Sequence, residues 1–307
     1  MEPRPYGPFP FWPAPVRPRI EWPNNARVAF WVIPNIEFFD LREPMPGDNN
    51  ERVPKEKAKI PFVYSWAHRD YGNRVGVWRV MDVMRRYGVR GTVALNSEIC
   101  IHHPEIIQAC RELDWEFMGH GRTNAVRLNE MAPEQEPGAI AEVFSTIGDS
   151  TGSRPRGWLG SGLAETWNTL DYLADEGLQY ICDWVNDDQP YYMNLANGRQ
   201  LLSMPYSWET NDVLIKSDKL STDEFEQICK RQFDVLYREG EQSGKVMALC
   251  LHPYVIGAPH RIDMLDRVLA HITSHEGVWV TTGGEIYDYF TKRYPEERFN
   301  PNVGVKS

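Results

Sequence analysis

No stretch of the sequence is apolar for the roughly eighteen or more residues that a membrane-crossing helix needs, so a membrane partner is not expected. Cysteine is scarce. The five present (Cys100, Cys110, Cys182, Cys229 and Cys250) are odd in number, widely spaced and never in a CxxC pair. That pattern excludes a disulfide framework and a zinc ribbon and implies reduced, buried thiols. Positive charge is also short, with 33 Lys plus Arg against 43 Asp plus Glu and a formal net charge of −10. Such a surface repels phosphate backbones, so nucleic acid is not expected as a partner. There is no run of like charge, no internal repeat and no low-complexity tract. The opening residues, MEPRPYGPFPFWPAPVRPR, lack the continuous apolar core of a signal peptide, and a cytoplasmic protein is expected.

What is present suits one large α/β domain: 307 residues, 42% of them hydrophobic. Residues 1–23 hold eight prolines together with Phe9, Phe11, Trp12 and Trp22. Proline fixes φ and removes donors, so this arm reads as an extended strap. Its aromatics seek burial, on the body of the chain or on a neighbouring subunit, and a symmetric dimer or tetramer is expected. From 24 to 295, apolar strand patterns alternate with amphipathic helix patterns. Strands are expected at 27–33, 89–96, 114–120, 154–160, 178–184, 199–207, 245–254 and 278–282. Helices are expected from near Val75 to Gly88 and at 103–113, 133–149, 165–177, 221–240 and 261–275, with 41–62 as a loop. Residues 296–307 form a tail. Seven or eight strand–helix units without a composition break predict a parallel sheet with right-handed crossovers, curled into an imperfect (β/α) barrel.

In such a barrel chemistry gathers where the strands end. The strand ends carry Asn35 and Glu37, His120, Arg154 and Arg156 with Trp158, Asp183, and His252. A carboxylate, two imidazoles and a guanidinium in one mouth supply a base, an acid and a charge stabiliser for attack of water on a carbonyl. Glu with two His is also a zinc inventory.

The segments GHGRTN (119–124), RPRGW (154–158), ICDW (181–184) and LHPY (251–254), in this order, resemble the polysaccharide-deacetylase family (NodB homology, carbohydrate esterase family 4). The resemblance spans about residues 20–290. It is closest to the allantoinase-like branch, which also includes peptidoglycan-deacetylase-like enzymes. It draws further support from NIE (35–37), RDYGNRVGVWR (69–79) and DWVNDDQPYY (183–192). It implies the NodB-type barrel and hydrolysis of a non-peptide C–N bond. It also implies roles by position: Asn35 at the usual general base, Glu37 at the first metal ligand, His120 and Asn124 at the paired metal histidines, and His252 at the general acid. Asn35 cannot take a proton, and an amide oxygen binds zinc more weakly than imidazole does. A zinc or other divalent ion, if held, is held weakly by Glu37, His120 and Asn124.

Three functions follow. The first is an allantoinase-like hydrolase of a small-molecule amide or ureide, working without the usual metal triad. The second is a zinc-dependent N-deacetylase of an acetylated sugar or peptidoglycan. The third is a non-catalytic, ligand-binding barrel. Under the first, Glu37 is base or ligand, its pKa raised by burial among Phe38, Phe39, Trp158 and Trp184. His252 protonates the leaving nitrogen, and Arg154 or Arg156 grips a carboxylate or ureido oxygen, one of them braced by Asp183. Asn35, Trp158, Trp184 and Tyr254 line the substrate.

Overall fold

A computed structural model describes residues 5–45, 60–196 and 198–299. The expected tail therefore lies mostly, and the loop 41–62 largely, outside the described residues, as do residues 1–4 of the arm. The strands are β1 (Val28–Ile36), β2 (Thr92–Leu95), β3 (Glu116–Gly119), β4 (Gly157–Trp158), β5 (Tyr180–Ile181), β6 (Tyr191–Asn194), β7 (Gln200–Ser203), β8 (Lys245–Leu251) and β9 (Val278–Val280). They form one curled sheet in the order β6-β7-β5-β4-β3-β2-β1-β8, and β9 also pairs with β1. Every pairing is parallel except β6 with β7, so the eight expected parallel strands are joined by one antiparallel strand.

The apolar run of β1 resolves into two faces because side chains alternate along a strand. Val28, Phe30 and Val32 pack outward into the layer shared with the helices, whereas Ala29, Trp31 and Ile33 pack inward. Strand β8 divides in the same way. The inward series of β1 continues to Asn35 and Glu37, which carries polar chemistry into the mouth.

No strand ladder joins β7 to β8. The seam is bridged by an irregular segment, in which Thr210 accepts from the Cys250 amide at 3.0 Å and the Asp212 amide donates to the Cys250 carbonyl at 3.0 Å. At the amino ends of the strands, the helix Gly283–Arg293 closes the interior, burying Ile286 and Phe290. Its first amides donate to Thr92 Oγ1 and Glu116 Oε2, at 2.9 and 2.8 Å. A side chain at Gly283 would lie 2.5 Å from the Tyr180 hydroxyl, so only glycine lets the helix enter there.

Several boundaries differ from the sequence reading. The helical run expected from Val75 begins at Val63 and passes through a wide turn at Gly72–Gly76. Strands β4 and β5 shrink to two residues each, and the sequence reading placed no element at β6 or at the helices Ser97–His102 and Gly283–Arg293. The described part of the arm lies on its own chain. Trp22 is 2% exposed. Phe9 meets Trp184 and Tyr191 edge-on at 5.2 and 4.9 Å. Trp12 meets Phe299 at 5.3 Å, while Phe11 alone of the four aromatics remains largely exposed.

Candidate active site

Glu37, His120 and His252 each follow the last residue of a strand by one position, beyond β1, β3 and β8. All three, with Asn35 and Asn124, line one cavity of about 230 Å³ at the carboxyl ends of the sheet. Pro253 turns the chain immediately after His252 and starts the short helix Pro253–Ile256, so β8 cannot continue past the imidazole.

Glu37 sits at the centre and is 5% exposed. Its Oε1 lies 3.5 Å from His120 Nε2 and 3.5 Å from His252 Nε2, and it also accepts from Asn124 Nδ2. His252 Nδ1 is 2.7 Å from Asp212 Oδ1, and the His252 amide donates to Asp212 Oδ2 at 2.8 Å. Asp212 is fully buried. A line of Asp212, His252 and Glu37 thus enters the cavity. On the other side, His120 Nδ1 donates to the Leu159 carbonyl, which leaves Nε2 as the atom facing Glu37. Asn35 Nδ2 donates to the carbonyls of Ile33 and Leu251, at 3.2 and 3.3 Å, and so ties β1 to β8.

The electrostatics reverse one expectation. Burial pushes the Glu37 carboxyl up, but the imidazoles of His252 and His120 beside it outweigh burial and hold Glu37 at about 2. Burial alone would lower His252; the Glu37 and Asp212 carboxylates instead raise it to about 10. The aromatics expected to raise Glu37 are mostly elsewhere. Trp158 is fully buried on the outer face of the sheet, stacked on Phe144, and Phe38 stacks on His102. Trp184 packs against Phe9 and donates to Glu165 at 3.0 Å. Of the proposed wall, Tyr254 lines the cavity; Trp158 and Trp184 do not.

The arginines also move. Arg154 and Arg156 precede β4 and so lie at its amino end, on the opposite face from the cavity. Arg154 pairs with Glu176, and Arg156 pairs with Asp288 and donates to Gln179. The guanidiniums at the cavity are those of Arg69 and Arg127. Arg69 is held over Phe39, 4.6 Å from the ring centre, and donates to Ser65 Oγ. The sequence reading missed both, and missed Asp212. Arg69 does stand in the RDYGNRVGVWR segment, so a signal existed for it. Asp212 lies in the irregular seam, where no periodicity marks it.

Asp183 does not line the cavity. It lies behind the β4 end, where its Oδ1 accepts from the Gly160 amide at 2.6 Å. Arg154 and Arg156 are held by Glu176 and Asp288, and among the described residues Asp183 pairs with no arginine. Burial raises it to about 7, and the neighbouring Glu165 is pushed up as well, first by burial and then by the Asp183 charge. A folded-state pKa above the ordinary 3.8 means that folding favours the protonated form. The stability from this group is full below about 3.8 and is lost as the pH rises through about 7. Asp183→Asn should therefore gain melting temperature over the parent at pH 8 and little at pH 4, with about 2–4 °C for each kcal/mol of relief. Parallel pH profiles for the two proteins would contradict this.

Among the described residues, three buried polar atoms at the site make no hydrogen bond: Glu37 Oε2, Asn124 Oδ1 and His120 Nε2, which stays 3.5 Å from Glu37 Oε1. A divalent cation would satisfy them, so this donor set fits a metal, although more weakly than a set with two imidazoles. A second trio close enough to share an ion is Asp234, His271 and His275, on the outer helices Thr222–Glu239 and Ile262–Thr273 and the turn that follows.

Comparison with known proteins agrees with this architecture. Residues 67–181 match the family model described as polysaccharide deacetylase. The chain is 28% identical over 301 residues to a putative polysaccharide deacetylase of Schizosaccharomyces pombe, covering 89% of this chain and 93% of that protein. It is 24% identical over 260 residues to the peptidoglycan deacetylase of Helicobacter pylori, covering 74% and 88%. Among solved structures, Puue allantoinase superposes with a TM-score of 0.84 at 28% identity, covering 91% of this chain and 95% of that one. A probable polysaccharide deacetylase from Pseudomonas aeruginosa gives 0.81 at 28% identity, with the same coverage.

Proposed function

We propose that this chain, which is similar to polysaccharide deacetylases, is a hydrolase of non-peptide carbon–nitrogen bonds that cleaves the amide or ureide bond of a small molecule, in the manner of an allantoinase. The observation that carries this reading is the line Asp212–His252–Glu37 within a cavity of about 230 Å³. That volume lies just below the usual range for small-molecule sites, roughly 300–1,000 Å³. Asn35 and Asn124, where the deacetylase pattern places a base and a histidine, favour the allantoinase-like reading over sugar deacetylation.

In the chemical step, water adds its hydroxyl to the carbonyl carbon, His252 gives its proton to the nitrogen, and the C–N bond breaks. His252, raised by two carboxylates, holds that proton through the neutral range. Glu37 is a weak base while His252 is charged, because the same attraction that raises the imidazole lowers the carboxylate. As His252 gives up its proton, that attraction vanishes and Glu37 becomes basic enough to take one from the attacking water. The two transfers therefore support each other. Asp212 fixes the imidazole tautomer and orientation. A divalent ion, when bound by Glu37, His120 and Asn124, would supply carbonyl polarisation and a more acidic water.

The test is a panel of allantoin, simple ureides, cyclic amides and acetylated amino sugars, each with and without chelator. Turnover of ureides or cyclic amides that persists with chelator supports the proposal. Turnover confined to acetylated sugars and abolished by chelator would replace it with the deacetylase reading.

A further inference from the structure

We infer that Arg127 forms an anion-binding subsite at the rim of the cavity and selects substrates that carry a carboxylate near the scissile bond. The inference rests on the small-molecule hydrolase reading and names its substrate class. Arg127 lines the same cavity as Glu37 and His252. It stands in the connection after β3, just before the turn Leu128–Glu130, and is half-buried. Among the described residues no carboxylate pairs with it. Its neighbour Arg122 contrasts, bound to Glu98 at 2.6 Å.

The placement of this guanidinium is built into the backbone opposite. The Arg127 side chain lies across Gly162, in the turn after β4. A Cβ at 162 would come within 2.6 Å of Arg127 Nε and 2.7 Å of Cζ. Gly162 also has φ +66°, which side-chain-bearing residues adopt at a cost. The backbone conformation favours glycine here, and the guanidinium rests in the space that the missing side chain leaves.

The charge balance points the same way. The chain carries a formal net charge of −10, and one of the carboxylates in that count, Glu37, lies inside the cavity. An anionic substrate entering that field needs a compensating cation away from Glu37. A planar guanidinium lining the cavity can bind a carboxylate through two parallel hydrogen bonds, which a neutral amide cannot match. Such a contact orients the substrate and leaves His252 free for proton transfer.

The probes are N-carbamoylglycine and its neutral amide, N-carbamoylglycinamide. In the parent, kcat/KM should favour the acid by about tenfold to a hundredfold, the range expected for a charged hydrogen-bonded contact. Arg127→Met should bring that ratio close to one, mainly through KM. Arg127→Lys should retain part of it, and Gly162→Ala should mimic Arg127→Met by displacing the guanidinium. Calorimetric binding of the same pair to Glu37→Gln, with and without Arg127→Met, gives a readout that needs no turnover. Arg127-dependent binding of the acid without hydrolysis would leave the subsite standing and sink the hydrolase reading. Turnover of both probes with no preference, or a preference that survives Arg127→Met, would overturn the subsite and leave the hydrolase reading intact. Binding of neither probe would also overturn the subsite.

Discussion

His252→Ala should lower turnover of the amide substrate by about a hundred- to ten-thousand-fold while the protein stays folded, as loss of a general acid does. The reason lies in the leaving group: expelling an amine or ureido nitrogen without a proton is the hard half of amide cleavage. His252 is 7% exposed, directly follows β8 and is poised between Asp212 and Glu37. A companion substitution separates chemistry from packing. Asp212→Asn keeps the shape but removes a charge that helps to raise His252, so the alkaline limb of the pH–rate profile should move from about 10 toward the ordinary 6.5. The sign follows from linkage, since a base held up by a neighbour falls back when the neighbour's charge goes. Near-parental turnover by His252→Ala would end the mechanism, and an unmoved alkaline limb in Asp212→Asn would remove Asp212 from it.

Glu37→Gln should be almost as damaging, again on the order of a hundred- to ten-thousand-fold. The swap preserves volume and the contact with Asn124 and removes only charge and proton affinity. Its value lies in a second measurement, the zinc content of the purified variant. If Glu37 serves chiefly as proton acceptor, the rate falls and metal content does not change; if it serves as ligand, both fall together. A variant that retains parental rate would show that Glu37 does neither. Acid stability offers a further check. Glu37 is held at about 2, below its ordinary 4.5, so its contribution to stability is present above 4.5 and lost as the pH falls through about 2. The variant should lack that acid-dependent loss.

The parallel barrel could be read from the alternation of strand and helix patterns because burial on both faces leaves a plain apolar signal. The three central groups could be read because each directly follows such a signal. Arg154 and Arg156 were misplaced for a related reason. The apolar run around Trp158 shows that a strand exists but not where it begins, and a shift of two or three residues moves a side chain from one end of the barrel to the other. Asp212 was invisible for a different reason: it is set by a seam between strands distant in sequence, and its role exists only once Cys250 and Thr210 are brought together. Arg127 carries no pattern at all, since its place depends on a glycine in another connection. The pKa of Glu37 could not be inferred from burial alone, because its two imidazole neighbours outweigh desolvation.

The position of β1 sets the order in which this protein can be completed during synthesis. Val28 pairs with Lys245 on one edge and Val278 on the other, and the interior has no floor until Gly283–Arg293 arrives. At ordinary elongation rates of ~5–20 residues per second, the first strand waits about 10–40 s for these neighbours. Throughout that interval the β8 edge of the first strand stays unpaired, and the inward ring of Trp31 lacks the strand and the helix that later cover it. The closed barrel can be complete only after the sequence near residue 293 has been made.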